Sequence, residues 1–254
     1  MFLFSTRDAE PTTQPMISTE LKSQIQGAYS RFLEAKSLKP RYGQRLMIAE
    51  VAKVLGDVDT DEEGRRSGDP AVVAVEAGTG TGKTVAYAIA AIPTAKAAGK
   101  RLVIATATVA LQEQIVHKDL PDLMRNSGLS FTFALAKGRG RYMCLSKLDM
   151  LLQEGNAQSA TAQLFEEEGF KIEVDEASQK LFTTMIEKLA GNKWDGDRDS
   201  WPKPIKDEIW QMIVSDKHSC NSSMPAHRDC PFQKARSELD KADVVIANHS
   251  LVMA

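Results

Sequence analysis

The sequence offers few of the features that exclude or assign a function quickly. Only three of its 254 residues are cysteine, namely Cys144, Cys220 and Cys230. An odd count with no export signal speaks against a disulfide framework and leaves metal ligation or inert burial. Charge of either sign is not in excess: 32 Lys and Arg against 34 Asp and Glu leave a net charge of -2. The chain as a whole therefore has no basic footprint for nucleic acid. No apolar run approaches the roughly 18 residues of a membrane span. Met1-Phe2-Leu3-Phe4 is too short, and too poor in preceding basic residues, for a signal-peptide core. The expectation is a cytoplasmic protein without membrane contact. No Ser/His/Asp or paired-carboxylate arrangement and no internal repeat is legible, and His117, His218 and His249 show no metal-ligand spacing.

What is present is ordinary globular composition, 43% hydrophobic and 26% charged, and a chain long enough for one large domain or two small ones. Residues 1–15 carry Pro11, Thr12, Thr13, Gln14 and Pro15 without periodicity and read as a disordered extension. Leu21, Ile25, Ala28, Phe32 and Leu33 recur at helical spacing over 20–36. Leu46, Met47, Val51 and Val54 mark a second helix over 44–55. Asp57 to Asp69 reads as a solvated loop. Ala71-Val72-Val73-Ala74-Val75 is a short, β-branched run bounded by Pro70 and Gly78, the pattern of a buried parallel strand. A helix over 83–98 follows, stopped by Gly99. Then come a strand at 102–105, a helix over 109–119 and a strand at 131–136. The alternation predicts a parallel sheet covered on both faces. The pattern breaks at Lys137 and returns only at Val244-Val245-Ile246-Ala247, which predicts an α-rich insertion within an α/β domain.

The most specific signal is Ala77-Gly78-Thr79-Gly80-Thr81-Gly82-Lys83-Thr84, between the first expected strand and the helix after it. Gly78, Gly80 and Gly82 are expected to take positive φ and bring the backbone close to phosphate oxygens. Successive N–H groups and the helix N-terminus then face the anion. Lys83 is expected on the β/γ-phosphates of ATP and the Thr84 hydroxyl on Mg²⁺. The general pattern opens with Gly where this chain has Ala77. A phosphate loop alone names no reaction.

Its neighbours do more. Glu76 to Thr84 resembles the first motif of superfamily 2 helicases of the iron–sulfur branch, and four further stretches resemble its DinG family. These are Arg41-Tyr42-Gly43-Gln44; Thr106-Ala107-Thr108-Val109-Ala110-Leu111-Gln112-Glu113-Gln114; Gly138-Arg139-Gly140-Arg141-Tyr142-Met143-Cys144; and Cys230-Pro231-Phe232 with Ala247-Asn248-His249-Ser250-Leu251-Val252. The resemblance covers about 16–254 in the family's order. It implies a RecA-like P-loop fold with an iron–sulfur-type insertion and 5′→3′ DNA helicase activity driven by ATP. It also implies Gln44 as an adenine reader and DNA phosphate contacts along Thr106–Gln114. The partner would be single-stranded or forked DNA. The implied layout is a RecA-like part over 16–136, a cysteine-containing insertion over 137–235 and a return over 236–254.

The family's Asp-Glu-Ala-His-type motif is expected beyond Ala254, and the second motor domain is likewise not in the sequence. The expectation is therefore that this chain binds ATP weakly and hydrolyses it negligibly, since phosphoryl transfer depends on those parts. A catalytically incomplete nucleotide- or DNA-binding fragment is the competing reading. A different P-loop phosphotransferase is disfavoured, because no acceptor-site motif is legible.

The resemblance implies four cysteine ligands for a [4Fe–4S] cluster; the chain has Cys144, Cys220 and Cys230. His227 is a substitute for the missing ligand, and Met224 a poorer one. A lost cluster with three thiols is the alternative. Lys137, Arg139 and Arg141 read either as a grip on DNA phosphates or as a surface basic turn. Residues 137–234 hold 14 Lys and Arg against 16 Asp and Glu, so any grip must be local. Trp194, Trp201 and Trp210 read first as core and second as base-stacking platforms. Glu166-Glu167-Glu168 and Asp175-Glu176 read as solvated helix faces.

Overall fold

The computed structural model describes residues 17–156, 175–217 and 229–254. The extension expected over 1–15 lies outside these residues, as do Glu166-Glu167-Glu168, His218, Cys220, Met224 and His227. The chain divides into two compact units, one formed by Met1–Leu135 with Lys241–Ala254 and the other by Ala136–Asp240.

The first unit is α/β. Helix α1 (Thr19–Ala35) starts where Ser18 Oγ accepts from Leu21 N at 3.1 Å, a side-chain N-cap. It buries Ile25, Ala28, Tyr29, Phe32 and Leu33 along one stripe. Helix α2 (Tyr42–Gly56) buries Met47, Ile48, Val51 and Ala52. Its stripe is turned slightly from the expected one, leaving Leu46 48% exposed. Helix α3 (Lys83–Ala97) is apolar on most sides and buries Ala86 and an unbroken run from Ala88 to Thr94. Its alanines leave room for both α1 and α2 to pack closely against it.

Among the described residues, three parallel strands form the sheet: β1 (Leu102–Thr106), β2 (Phe133–Leu135) and β3 (Val244–Asn248), in the order β1-β3-β2. Leu102 pairs with Val244 on one side of β3 and Phe133 with Val244 on the other. The last strand in sequence is thus the central one, and Val244, Ile246 and Ala247 are buried. Asp243 fixes its start. Its carboxylate accepts from Thr132 N at 2.8 Å and from Lys96 Nζ at 3.0 Å, tying α3, β2 and β3 together.

Two expectations change. The run Ala71–Val75 lies in no strand and has no ladder partner among the described residues; Val75 is 43% exposed. Strand composition expresses a preference, but a neighbouring backbone is what satisfies the N–H and C=O groups. The helix expected over 109–119 runs further. It comprises α4 (Val109–Gln114), a π-helical turn at Ile115–Asp119, and α5 (Leu120–Ser127), which ends at Gly128 with φ 72°. Pro121 lacks the N–H an α-turn would need, and the wider turn just before it accommodates that loss.

The second unit is α-rich, with α6 (Leu145–Asn156), α7 (Glu176–Ala190), α8 (Asp207–Ile213) and α9 (Pro231–Lys241), the last reaching its boundary. Met143, Leu148, Phe182, Met185, Trp194, Trp210 and Ile213 form its core. Trp194 meets Trp201 edge-on at 4.8 Å between ring centroids. Buried indole N–H groups need acceptors; Trp194 Nε1 donates to Asp197 O at 2.8 Å and Trp210 Nε1 to Gly140 O at 2.9 Å. No helix among the described residues is long and apolar enough to cross a membrane.

Candidate nucleotide-binding site

Residues Ala77 to Gly82 form an irregular loop that feeds directly into α3, with Lys83 and Thr84 in its first turn. Gly80 has φ 73° and Gly82 φ 76°, so both need the left-handed region that only glycine enters freely. Gly78 does not share it; its requirement is weaker than the sequence pattern suggests.

The loop's carbonyls are turned toward protein donors. Lys83 Nζ donates to Ala77 O and Gly78 O, each at 2.7 Å, and Thr81 Oγ1 donates to Gly78 O at 2.9 Å. Arg41 Nη1 donates to Gly80 O at 3.3 Å, and Gln44 Nε2 to Thr81 O at 2.8 Å. In a trans peptide the N–H points opposite its C=O. Four carbonyls are thus satisfied by side-chain donors, and the N–H groups that follow them, of Gly78, Thr79, Thr81 and Gly82, point away from those donors. They adjoin the first-turn N–H groups of α3, which have no intrahelical partner. The result is a cluster of donors at a helix N-terminus, suited to phosphate oxygens. An ammonium has three donors, and Lys83 uses two on the loop, which leaves one for an anion. Thr84 interacts through its hydroxyl with Tyr87, whose phenol is raised by burial, with the Thr84 hydrogen bond acting in the opposite direction.

Gln44, in the first turn of α2, reaches the loop because glycine occupies position 82; a Cβ there would lie closer than 3.0 Å to its Nε2. Its amide oxygen accepts from Tyr29 Oη at 2.8 Å. The loop residues, Gln44 and Arg41 are thus brought together. Tyr29 is not legible as part of the site, because in sequence it is one more residue of the α1 apolar stripe. A groove of about 1190 Å³ between α1 and α2, lined in part by Tyr29, Tyr42 and Leu46, takes none of its lining from the glycine loop.

Along Thr106–Gln114, three polar side chains are engaged within the fold, and Ala107 to Leu111 are exposed. Thr106 and Gln112 are buried, and Thr108 Oγ1 caps α4 by accepting from Leu111 N at 3.3 Å. Asn248 likewise caps a short helix, α10 (His249–Val252), accepting from Leu251 N at 2.6 Å.

In the second unit Cys144 and Cys230 are buried thiols, and Cys220 lies outside the described residues. The basic turn faces carboxylates. Lys137 Nζ is 2.6 Å from Asp197 and 3.1 Å from Asp199, and Arg141 pairs with Asp199. Arg139 donates to Asp216 O at 3.1 Å and lies 4.5 Å over the Phe232 ring. Burial holds the Asp197 carboxyl above its usual range, against the pull of Lys137. Burial, with the Asp197 charge beside it, pushes the Tyr142 phenol to about 12.

The family signature described as DEAD/DEAH box helicase matches residues 65–154, which include the glycine loop. A relative from Photobacterium profundum, named ATP-dependent DNA helicase DinG, is 44% identical over 94% of this chain and 33% of its own length. Proteins of the same name from Escherichia coli and Salmonella typhimurium are each 40% identical over 94% of this chain and 32% of theirs. The chain thus spans about a third of the length of these relatives. With its loop, the helix it feeds and this similarity in place, the chain is a homologue of the N-terminal third of the DinG ATP-dependent DNA helicases.

Proposed function

We propose that this chain is the ATP-binding part of a DinG-like 5′→3′ DNA helicase built on a RecA-like first motor domain, acting on single-stranded or forked DNA. The observation that carries the reading is a glycine loop, with Gly80 and Gly82 at positive φ, that feeds directly into the first turn of α3 at Lys83 and Thr84. Its backbone N–H groups and those of the helix start form the phosphate cradle in this reading. Ala77, Gly78, Thr79, Gly80, Thr81 and Gly82 hold the phosphates through backbone groups, and Lys83 adds a positive charge on the β/γ-phosphates. The Thr84 hydroxyl is the ligand this chain offers to Mg²⁺, which would screen the phosphate charge. Gln44 reads the base.

A cytoplasmic setting suits both this activity and thiols kept reduced. For the second unit the proposal is a [4Fe–4S] cluster held by Cys144, Cys220 and Cys230, with His227 as the fourth ligand. Its support is that Cys144 and Cys230 are both buried in this unit, Cys230 in a small apolar cluster with Tyr142 and Phe232. Such a cluster supplies cross-links that hold an insertion together. Anaerobically prepared protein should carry about four irons per chain with broad visible absorption; folded, colourless and iron-free protein ends this part of the proposal.

ATP hydrolysis with and without single-stranded DNA, using Lys83→Ala as control, tests the motor reading. Lys83-dependent turnover stimulated by DNA supports a motor competent in itself. ATP binding without turnover favours the second reading, a nucleotide-binding portion that works only with the rest of a helicase.

A further inference from the structure

We infer that Tyr29 is a positioning residue for base recognition, setting the orientation in which Gln44 meets a nucleobase; this rests on the nucleotide-binding role proposed above. The Tyr29 side chain is buried, 8% exposed, in the α1 stripe, and its hydroxyl touches two groups of the neighbouring helix. It accepts a long hydrogen bond from Arg41 N, at 3.4 Å, and lies 2.8 Å from Gln44 Oε1. A phenol carries a single proton. With Arg41 N–H already donating to the oxygen, that proton is directed at Gln44, so the end of the amide facing Tyr29 is its carbonyl. The Gln44 NH₂ then faces the loop, where it donates to Thr81 O at 2.8 Å.

A primary amide has two N–H donors and two acceptor lone pairs. Tyr29 and Thr81 take one of each, leaving one donor and one acceptor. That remaining pair complements the N7 acceptor and N6 donor of adenine, the pairing by which Gln reads this base. Guanine presents O6, an acceptor, in place of the N6 donor. An amide held in one orientation thus prefers adenine, and an amide free to turn over or swing away discriminates less. Gln44 is itself a flexible side chain in the first turn of α2, and the N-cap residue of α2, Arg41, makes no side-chain cap hydrogen bond. The phenol is what ties both to the α1 core.

The test is direct binding of Mg·ATP, Mg·GTP and inorganic tripolyphosphate to the protein and to Tyr29→Phe, Gln44→Ala and the double variant. Tyr29→Phe keeps the ring in the core and removes only the hydroxyl. It is expected to weaken ATP about 3- to 10-fold, the range of one hydrogen bond, and to bring the ATP/GTP ratio toward one. Tripolyphosphate, which has no base, should lose much less than ATP. The substitution should have no further effect on ATP in the Gln44→Ala background. An unchanged ATP/GTP ratio in Tyr29→Phe overturns the inference. So does an equal loss for ATP and tripolyphosphate, which would mark a general structural role. If the unsubstituted protein binds tripolyphosphate but prefers no base, base reading fails while the phosphate cradle stands. If it binds neither, the nucleotide-binding reading itself fails.

Discussion

The amide of Gln44 rests on the backbone of Gly82: a Cβ at that position would lie under 3.0 Å from Gln44 Nε2, and the residue has φ 76°. Two separate constraints therefore fall on one glycine. Gly82→Ala must either strain the left-handed backbone, at roughly 1–2 kcal/mol, or leave it. It must also swing Gln44 off Thr81 and Tyr29. ATP affinity should fall at least about tenfold, and tripolyphosphate affinity should fall with it, because the proposed phosphate cradle and base reader are both disturbed. Gly78→Ala, at a position outside the positive-φ region and 3.9 Å from its nearest neighbour, should cost far less. Equal losses in the two variants, by calorimetric titration, would remove the distinction between these glycines.

Much of this geometry is legible in the sequence and some is not, for physical reasons. The glycine loop is legible because its chemistry is local: spacing, the lysine and the helix start all lie within eight residues. The helices of the first unit are legible because their apolar stripes are periodic. Ala71–Val75 misleads because strand formation depends on a partner chain segment, and composition carries no information about whether one is alongside. The π-turn at Ile115–Asp119 escapes notice because helical periodicity tolerates a single wide turn. Tyr29 does so because a buried tyrosine with a working hydroxyl looks, in sequence, like any apolar stripe residue. The basic turn at Lys137–Arg141 leaves two readings open, since its carboxylate partners stand about 60 residues away in the chain.

Lys83 binds the loop twice through its ammonium and has one hydrogen left for an anion. Lys83→Ala removes a charge-assisted contact worth about 1.5–3 kcal/mol, so ATP affinity should fall roughly 10- to 100-fold. The loop also loses its ties to Ala77 O and Gly78 O. Amide exchange at Thr79–Gly82 should therefore quicken in the free protein. Full ATP affinity in the variant would refute the role given to Lys83.

Asp243 joins α3, β2 and β3 in the first unit, and its carboxyl is held below its ordinary range, chiefly by the Thr132 N–H and then by Lys96. A depressed carboxylate stabilises the fold above its unfolded pKa, and that contribution is lost as pH falls through the lower folded value. Because the group is partly exposed, Asp243→Asn should cost only about 1 kcal/mol at neutral pH. The difference from the unsubstituted protein should shrink only as the pH falls below the ordinary carboxylate range. Hydrogen exchange at Val244 N, which donates to Thr132 O, is the local measurement. A cost independent of pH would mean that Asp243 acts through its shape and not its charge.

All three tryptophans lie in the second unit, so their fluorescence reports its unfolding alone. That makes the Lys137–Asp197 pair testable. Asp197 is 5% exposed, and removing the cation from a buried pair leaves a carboxylate with neither water nor its main counter-charge. Lys137→Met should therefore destabilise this unit by about 3 kcal/mol at neutral pH. Lys137→Met with Asp197→Asn should recover most of the loss. Burial is the leading influence on Asp197 and raises its carboxyl. For a raised acid, stability is fully present below its unfolded pKa and declines as pH rises through the folded value. Acidification should accordingly restore part of the Lys137→Met deficit as Asp197 takes up a proton. If Lys137 instead serves chiefly to hold DNA phosphate, the outcome differs. The urea midpoint would then hardly move, and the salt dependence of single-strand binding would become shallower by about one phosphate contact.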